Sequence, residues 1–397
     1  MNRMKPKIAF FINSLTLGGA EKGLRLLIET MKDKYEIHLV LKIRHDDISA
    51  LVPASSDIKF FYLTESESKS ILNFLFIPIY ALRYKRYLEK NNIPVSYSLL
   101  TRPNLTAAFT RLLGWRGQII LSERTTPVGF YKNAGLSGKI ILKLIKKLYG
   151  YADLIIPNSA GVRIALEETL EIKTHYQVIL NAIHIEQTKN KSKAPLSMPL
   201  PEGADSARFT FICVSNLFPY KNQELLIHAL QKLAHLDCQL WLVGVGPDEE
   251  KLKQIILENG QEKRVFLLGY RTDALQLMAK ADCFVTATRV EGLPNAQIEA
   301  LTLGLPVIST DCRVGPRELL ATQSDPRKQL KVGIEQGDYG ILTAVDDLEA
   351  MTSAMEQIYT DRNLRNRFKV AGPRSVERFA YDKIMAQTTA SFEQFYK

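Results

Sequence analysis

A chain of 397 residues exceeds the ~250–300 at which a single hydrophobic core stops growing, so two domains are expected. Its 46% apolar residues can fill two cores, and the absence of any run of ~18 uninterrupted apolar residues argues against a membrane-spanning helix. The net charge of +10 lies in one half: residues 1–190 hold 27 Lys+Arg against 16 Asp+Glu, and the remainder holds 25 against 26. That imbalance predicts an anionic partner for the first half: a membrane surface, nucleic acid or a phosphorylated substrate.

Short apolar runs alternate with helical patterns throughout, which predicts parallel sheets covered by helices. In the first half the predicted strands are Lys7–Leu15, Tyr35–Ile43, Ile58–Leu63, Val95–Leu100, Gln118–Ser122, Leu154–Pro157 and Gln177–Leu180. The N-terminus begins like a signal peptide, but Asn13 and Ser14 interrupt the apolar run. It reads as a first strand, and the protein as cytoplasmic. The polar, Pro- and Ser-rich stretch from Glu186 to Ala207 reads as a linker. Beyond it the predicted strands are Phe209–Val214, Gln239–Val243, Val265–Leu268, Cys283–Thr286, Pro306–Ser309 and Gly340–Leu342. The expected organisation is an N-terminal domain over 1–185, a linker over 186–207 and a C-terminal domain over 208–375. A terminal helix over about 376–397 packs back on the first domain. Such α/β halves bind ligands at the carboxyl ends of their strands, here across a cleft. Cys213, Cys238, Cys283 and Cys312 form no C-x-x-C pair and read as buried, reduced thiols.

The most informative segment is Glu291 to Glu299, EGLPNAQIE. A strand-like run precedes it and a helical pattern, Ala296 to Leu303, follows. The Gly-Leu-Pro-Asn turn therefore meets the amino end of a helix, where unpaired N–H groups and the dipole favour an anion. Gly292 permits close backbone approach to a ligand, and Pro294 is preset for a helix start. Glu299 comes about one turn later, placed to accept hydrogen bonds from vicinal hydroxyls. A sugar phosphate suits this layout; a capped helix with surface acids is the plain alternative.

Other strand-to-helix loops add to it. Leu17-Gly18-Gly19-Ala20-Glu21 follows the first strand but fails the G-x-G-x-x-G dinucleotide spacing. Val214 to Asn222 places Lys221 where a helix begins, a position unfavourable to a cation unless it neutralises a bound diphosphate. Gly244-Val245-Gly246-Pro247-Asp248 reads as a structural turn. Gly269-Tyr270-Arg271 ends a strand on the same face. Gly315 and Pro316, within Asp311 to Glu318, suit a further helix start, and Glu318 can be a first-turn acid alone.

Together these loops resemble family four of the retaining glycosyltransferases, which have the two-domain GT-B fold, and the resemblance covers nearly the whole chain. Gly18 to Glu21 resembles the N-terminal loop of that family, and Val178 to Ile183 its domain junction. Asn216 to Lys221 resembles its Arg-x4-Lys phosphate element, and Glu291 to Glu299 its E-x7-E signature. Asp311 to Glu318 resembles the Gly-Pro-Arg-Glu form of amino-sugar and galactose transferases. The resemblance implies that Glu299 grips the ribose hydroxyls and that Glu291 lies by the donor sugar. Gly292, Leu293, Pro294 and Asn295 present amides to sugar and diphosphate. Lys221 stabilises the leaving diphosphate, with Gly18, Gly19, Asn216 and Arg271 also on the donor side and Glu123 and Arg124 on the acceptor side.

It further implies transfer with retention and without a metal or resident cofactor, the nucleotide-sugar being a co-substrate. In agreement, no histidine cluster occurs and Asp46-Asp47 lies in a polar loop. Two departures stand out. Asn216 replaces the phosphate-binding arginine, leaving Arg271 or Arg317 to supply charge. Leu121-Ser122-Glu123-Arg124 holds no histidine where many relatives have one, and an arginine cannot serve as a base.

Lys139 to Tyr149 is a basic amphipathic helix, and Ile71–Tyr87 joins an apolar run to Arg83, Lys85 and Arg86. Both suit an anionic membrane surface, although a core-facing helix with lysines in water fits the pattern too. No nucleic-acid-binding motif occurs. The expected function is transfer of an N-acetylhexosamine or hexose from a UDP-sugar to a glycan acceptor carried on a lipid, in bacterial surface polysaccharide or oligosaccharide synthesis. The alternatives are a nucleotide-sugar 2-epimerase and a catalytically weak nucleotide-sugar-binding protein.

Overall fold

A computed structural model describes residues 5–15, 18–43, 58–64, 74–205 and 207–396. The chain forms two units, Met1–Ala182 with Asp382–Lys397, and Ile183–Tyr381. The unit boundary falls at Ala182, and residues 183–207 belong with the second unit rather than forming a separate linker.

The first unit is built on a six-stranded parallel sheet in the order β3-β2-β1-β4-β5-β6. Its strands are β1 (Lys7–Ile12), β2 (Glu36–Ile43), β3 (Lys59–Thr64), β4 (Val95–Leu99), β5 (Gln118–Glu123) and β6 (Leu154–Pro157). Ile8, Ala9 and Phe10 on β1 are fully buried in succession, as a strand covered by helices on both faces requires. The covering helices are α1 (Gly19–Met31), α2 (Ile77–Lys90), α3 (Thr101–Leu112), α4 (Pro127–Tyr131), α5 (Gly135–Tyr149) and α6 (Ala160–Ile164).

Gln177–Leu180, predicted as a strand, is not one. It sends two amides to β6, Gln177 N to Ile155 O at 3.0 Å and Ile179 N to Pro157 O at 3.1 Å, without forming a ladder of its own. The C-terminal helix, Tyr381–Glu393, and the residues after it complete this core: the Phe392 ring meets Phe10 and Tyr97 edge-on, and the Tyr396 hydroxyl donates to Lys7 O at 2.7 Å.

The second unit begins with α7 (Ile185–Ser192), a helix where a linker was expected. It has no apolar stripe, but Glu186 and Lys189 pair one turn apart, a spacing that supports a helix. A seven-stranded sheet follows in the order β12-β13-β11-β10-β7-β8-β9. Its strands are β7 (Phe209–Val214), β8 (Cys238–Val243), β9 (Val265–Gly269), β10 (Cys283–Thr286), β11 (Val307–Thr310), β12 (Ile334–Gln336) and β13 (Gly340–Thr343). All pair in parallel except β12, an antiparallel edge not predicted from the sequence. Helices α8 (Gln223–Lys232), α9 (Glu249–Glu258), α10 (Ala274–Lys280), α11 (Asn295–Thr302), α12 (Pro316–Leu320), α13 (Leu348–Thr360) and α14 (Arg362–Ser375) flank it. The strand order reverses at the β7–β10 pair, the position where open α/β sheets hold their ligands.

All four cysteines are free and buried. No described helix is long and apolar enough to cross a membrane.

Candidate active site

The loops leaving β7 and β10 are laced together at this reversal point. The β7 loop ends in a 3-10 turn, Pro219–Lys221, and then Asn222 at φ 53° and ψ 42°. That left-handed conformation is tolerated best by glycine and asparagine. Arg289 from the β10 loop donates its backbone N to Tyr220 O at 2.8 Å and its Nη1 to Pro219 O at 3.0 Å. Asp346, which follows β13, accepts from Arg289 Nε at 2.7 Å and from Asn222 Nδ2 at 2.9 Å. Neither Arg289 nor Asp346 was singled out in the sequence, although Arg289 stands two places before the Glu291 of the E-x7-E segment.

The result is an ion pair between Lys221 Nζ and Glu291 Oε1, with side chains 16% and 14% exposed. Burial opposes the Lys221 charge, but the facing Glu291 carboxylate and its hydrogen bond outweigh burial and raise the lysine pKa above its ordinary value. Lys221 is therefore a fixed cation at neutral pH.

Neighbouring loops buttress the pair through glycines. At Gly244 a Cβ would stand 2.1 Å from Ser215 O, so the β8 loop lies directly on the β7 loop. Gly315, at φ 98°, lies so close to Gly292 that a Cβ would stand 2.1 Å from Gly292 O. The Asp311-to-Pro316 loop thus supports the Gly-Leu-Pro-Asn turn from behind. Helix α11 starts after Pro294, which is the cap residue itself and makes no side-chain cap bond. Glu299 lies one turn along α11, partly exposed.

Arg271 does not serve the donor side. Its guanidinium is 2% exposed and pairs with Asp273 at 2.7 Å. The remaining donors go to Met198 O at 2.6 Å and Pro199 O at 3.0 Å. Arg271 fastens the segment before β7 to the end of β9. Arg317 is likewise consumed, by Asp311 at 2.6 Å and Glu335 at 2.9 Å, and is 4% exposed. Neither compensates for Asn216, which is exposed on the β7 loop.

In the first unit, Gly18 caps α1 at φ −74° without a side-chain cap bond, and Gly19 begins the helix. Glu123, at the end of β5, does not face an acceptor: it is fully buried. Its Oε2 accepts from Tyr149 Oη at 2.7 Å and from Thr101 Oγ1 at 3.3 Å. Burial pushes the Glu123 carboxyl up to about 7, against the lowering effect of Tyr149 and the Arg124 amide. Arg124 turns the other way, toward α1, where a Cβ on Gly23 would lie 2.7 Å from its Nη2. No group of His, Cys, Asp and Glu able to hold a metal occurs among the described residues, and Asp46-Asp47 lies outside them.

These two doubly wound sheets, with an anion-suited helix start and a half-buried lysine at the reversal point of the second, define the GT-B fold. The structure resembles HepE of Anabaena in complex with UDP and glucose (TM-score 0.74, 20% identity, 98% of this chain and 100% of that one). It also resembles sucrose-phosphate synthase of Thermosynechococcus elongatus (TM-score 0.78, 16% identity, 99% of each). Residues 201–375 match the model of the "Glycosyl transferases group 1" family.

Over 379 residues the chain is 30% identical to a Campylobacter jejuni enzyme, covering 95% of this chain and 96% of that one. That relative is N-acetylgalactosamine-N,N'-diacetylbacillosaminyl-diphospho-undecaprenol 4-alpha-N-acetylgalactosaminyltransferase. The chain belongs to the group 1 glycosyltransferases.

Proposed function

We propose that this glycosyltransferase moves an N-acetylhexosamine or hexose from a UDP-sugar to a glycan acceptor carried on a lipid, in bacterial surface polysaccharide or oligosaccharide synthesis. The observation that carries the reading is the Lys221–Glu291 pair at the strand-order reversal, beside the start of α11. As the bond to the donor sugar breaks, negative charge grows on the diphosphate, and a preorganised ammonium stabilises that charge most when it is greatest. Glu291 holds the ammonium in place at the sugar. The turn from Gly292 to Asn295 presents its amides to sugar and diphosphate, and Glu299 accepts from the ribose hydroxyls.

The lipid-linked acceptor is supported by the Campylobacter relative, whose name specifies a diphospho-undecaprenol substrate. Transfer needs no metal or resident cofactor in this reading, because a side-chain cation meets the leaving group, and its retention is what the resemblance to family four implies. The protein works in the cytoplasm at the inner face of the membrane. On α5, Leu136 and Ile140 are 76% and 51% exposed, beside exposed Lys139, Lys143, Lys146 and Lys147. On and before α2, Leu75, Phe76, Ile79 and Leu82 are exposed, with Arg83 and Arg86. Basic and apolar groups together suit an anionic bilayer; residues 71–73 lie outside the described part.

The test is a panel of nucleotide-sugars with a polyprenyl-diphosphate oligosaccharide, scored for UDP release. The product is analysed by NMR for anomeric configuration, and the reaction is repeated with EDTA. UDP release independent of the acceptor, an inverted product or loss of activity in EDTA would each remove the corresponding part of the reading.

A further inference from the structure

Arg271 and Arg317 are locked to carboxylates, Lys221 is paired with Glu291 and Asn216 is neutral, which leaves Arg313, exposed on the β11 loop and donating to Pro326 O at 3.2 Å, as a guanidinium of the second unit with no carboxylate partner among the described residues. The first unit holds another, Arg124, and it is partly buried. Arg124 follows β5 and lies over Gly23 of α1, at a cavity of about 30 Å³ whose walls include Tyr97, Ile179 and Thr388. Among the described residues no carboxylate pairs with its guanidinium, and burial lowers its pKa, with Tyr97 the titratable group acting against that. The nearest acid in sequence, Glu123, turns its carboxylate into the core toward Tyr149. A partly buried cation without an anion destabilises a fold, and unpaired groups of this kind gather at functional sites.

We infer that Arg124 and the edge of this cavity form a binding site for a phosphate ester. The inference rests on the proposed glycosyltransferase reading and deepens it. The planar fork of the guanidinium matches two phosphate oxygens. The cavity has room for little more than a water, so the ligand engages the outer edge of the guanidinium rather than being enclosed. Both proposed substrates carry this chemistry, the donor as a nucleoside diphosphate and the acceptor as a lipid diphosphate.

The experiment compares wild type, Arg124→Met, Arg124→Lys and Gly23→Ala by calorimetry with inorganic pyrophosphate and with UDP. Kinetics follow, with a polyprenyl-diphosphate acceptor and with the same glycan on an uncharged alkyl chain. Arg124→Met should weaken pyrophosphate binding at least tenfold without lowering the melting temperature, and Arg124→Lys should recover part of the loss. Gly23→Ala crowds Nη2 with a methyl group, so it should weaken pyrophosphate while leaving the fold at least as stable, which keeps the test open if Arg124→Met folds poorly.

A parallel fall in UDP affinity assigns the site to the donor. Unchanged UDP affinity with a KM raised at least tenfold for the diphosphate acceptor alone assigns it to the acceptor. Variants that bind pyrophosphate and UDP and use the acceptor as the wild type does overturn the inference while leaving the proposed function standing, as does a lower melting temperature with unchanged affinities. A wild type that binds neither pyrophosphate nor UDP overturns both.

Discussion

Lys221 and Glu291 are bonded to each other across 70 residues of sequence, on loops that leave the two strands flanking the reversal of sheet order. Neither residue acts alone, since each sets the charge felt by the other. Lys221→Ala should therefore reduce turnover at saturating donor by about 10²–10³, the loss typical of removing one preorganised stabilising group, with a smaller effect on UDP affinity. The double variant Lys221→Ala/Glu291→Gln should be scarcely worse than the single one, because the two groups work as a unit. Single-turnover rates for the set decide it; multiplicative losses would show that the residues act independently.

Glu299→Ala should weaken UDP binding roughly tenfold or more, the loss of charge-assisted bonds worth ~1.5–3 kcal/mol. Calorimetry on folded variant protein reads the change directly. Unaltered affinity would remove Glu299 from the ribose.

Arg271→Ala should act on stability. The change strands Asp273, whose carboxyl is held well below the usual range by the Arg271 hydrogen bond, in a site 1% exposed. Removing one partner of such a pair typically costs about 3–5 kcal/mol. Urea unfolding should show that loss, while UDP affinity at low temperature stays near wild type. The opposite pattern would return Arg271 to the donor site.

Glu123 makes stability depend on pH. Its folded-state pKa of about 7 stands above the ordinary 4.5, so the folded protein keeps a proton that the unfolded chain has released. Stability is then greatest below pH 4.5 on account of this group and falls as pH rises to about 7, by roughly 3 kcal/mol. Glu123→Gln should flatten that slope and unfold at higher urea than wild type at pH 8. Parallel curves for the two proteins across pH 5–8 would contradict it.

Replacing Lys139, Lys143, Lys146 and Lys147 with Gln should release the protein from anionic vesicles in sedimentation at low salt, since each lysine contributes about 1 kcal/mol near an anionic leaflet. Turnover on a soluble acceptor should hardly change. Wild-type protein that ignores anionic vesicles at low salt would end the membrane reading.

Both sheets were legible in the sequence because buried parallel strands leave continuous apolar runs such as Ile8 to Ile12 and Trp241 to Val243. What escaped lacked that mark. Strand β12 is three residues, partly exposed, at an edge. Helix α7 is polar after Ile185. Within the site, the E-x7-E segment was readable because Gly292, Pro294 and two carboxylates act through backbone and spacing. Side-chain direction was not readable. Arg271 stands at a strand end, as a donor-binding arginine would, yet its partner Asp273 lies two places on and draws it inward. Glu123 and Arg124 are adjacent, and one turns to the core while the other turns to α1. Asp346 could be found only by seeing that β13 delivers it to Asn222.

The four cysteines are free and buried, and burial pushes their thiols up, Cys213 to about 11. At neutral pH their thiolate fraction, and with it their reactivity, is very small. A cysteine introduced on an exposed helix of each unit would thus be the reactive pair. Spectroscopic probes could be attached to either unit of the otherwise unaltered enzyme, and the distance between them followed as substrates bind.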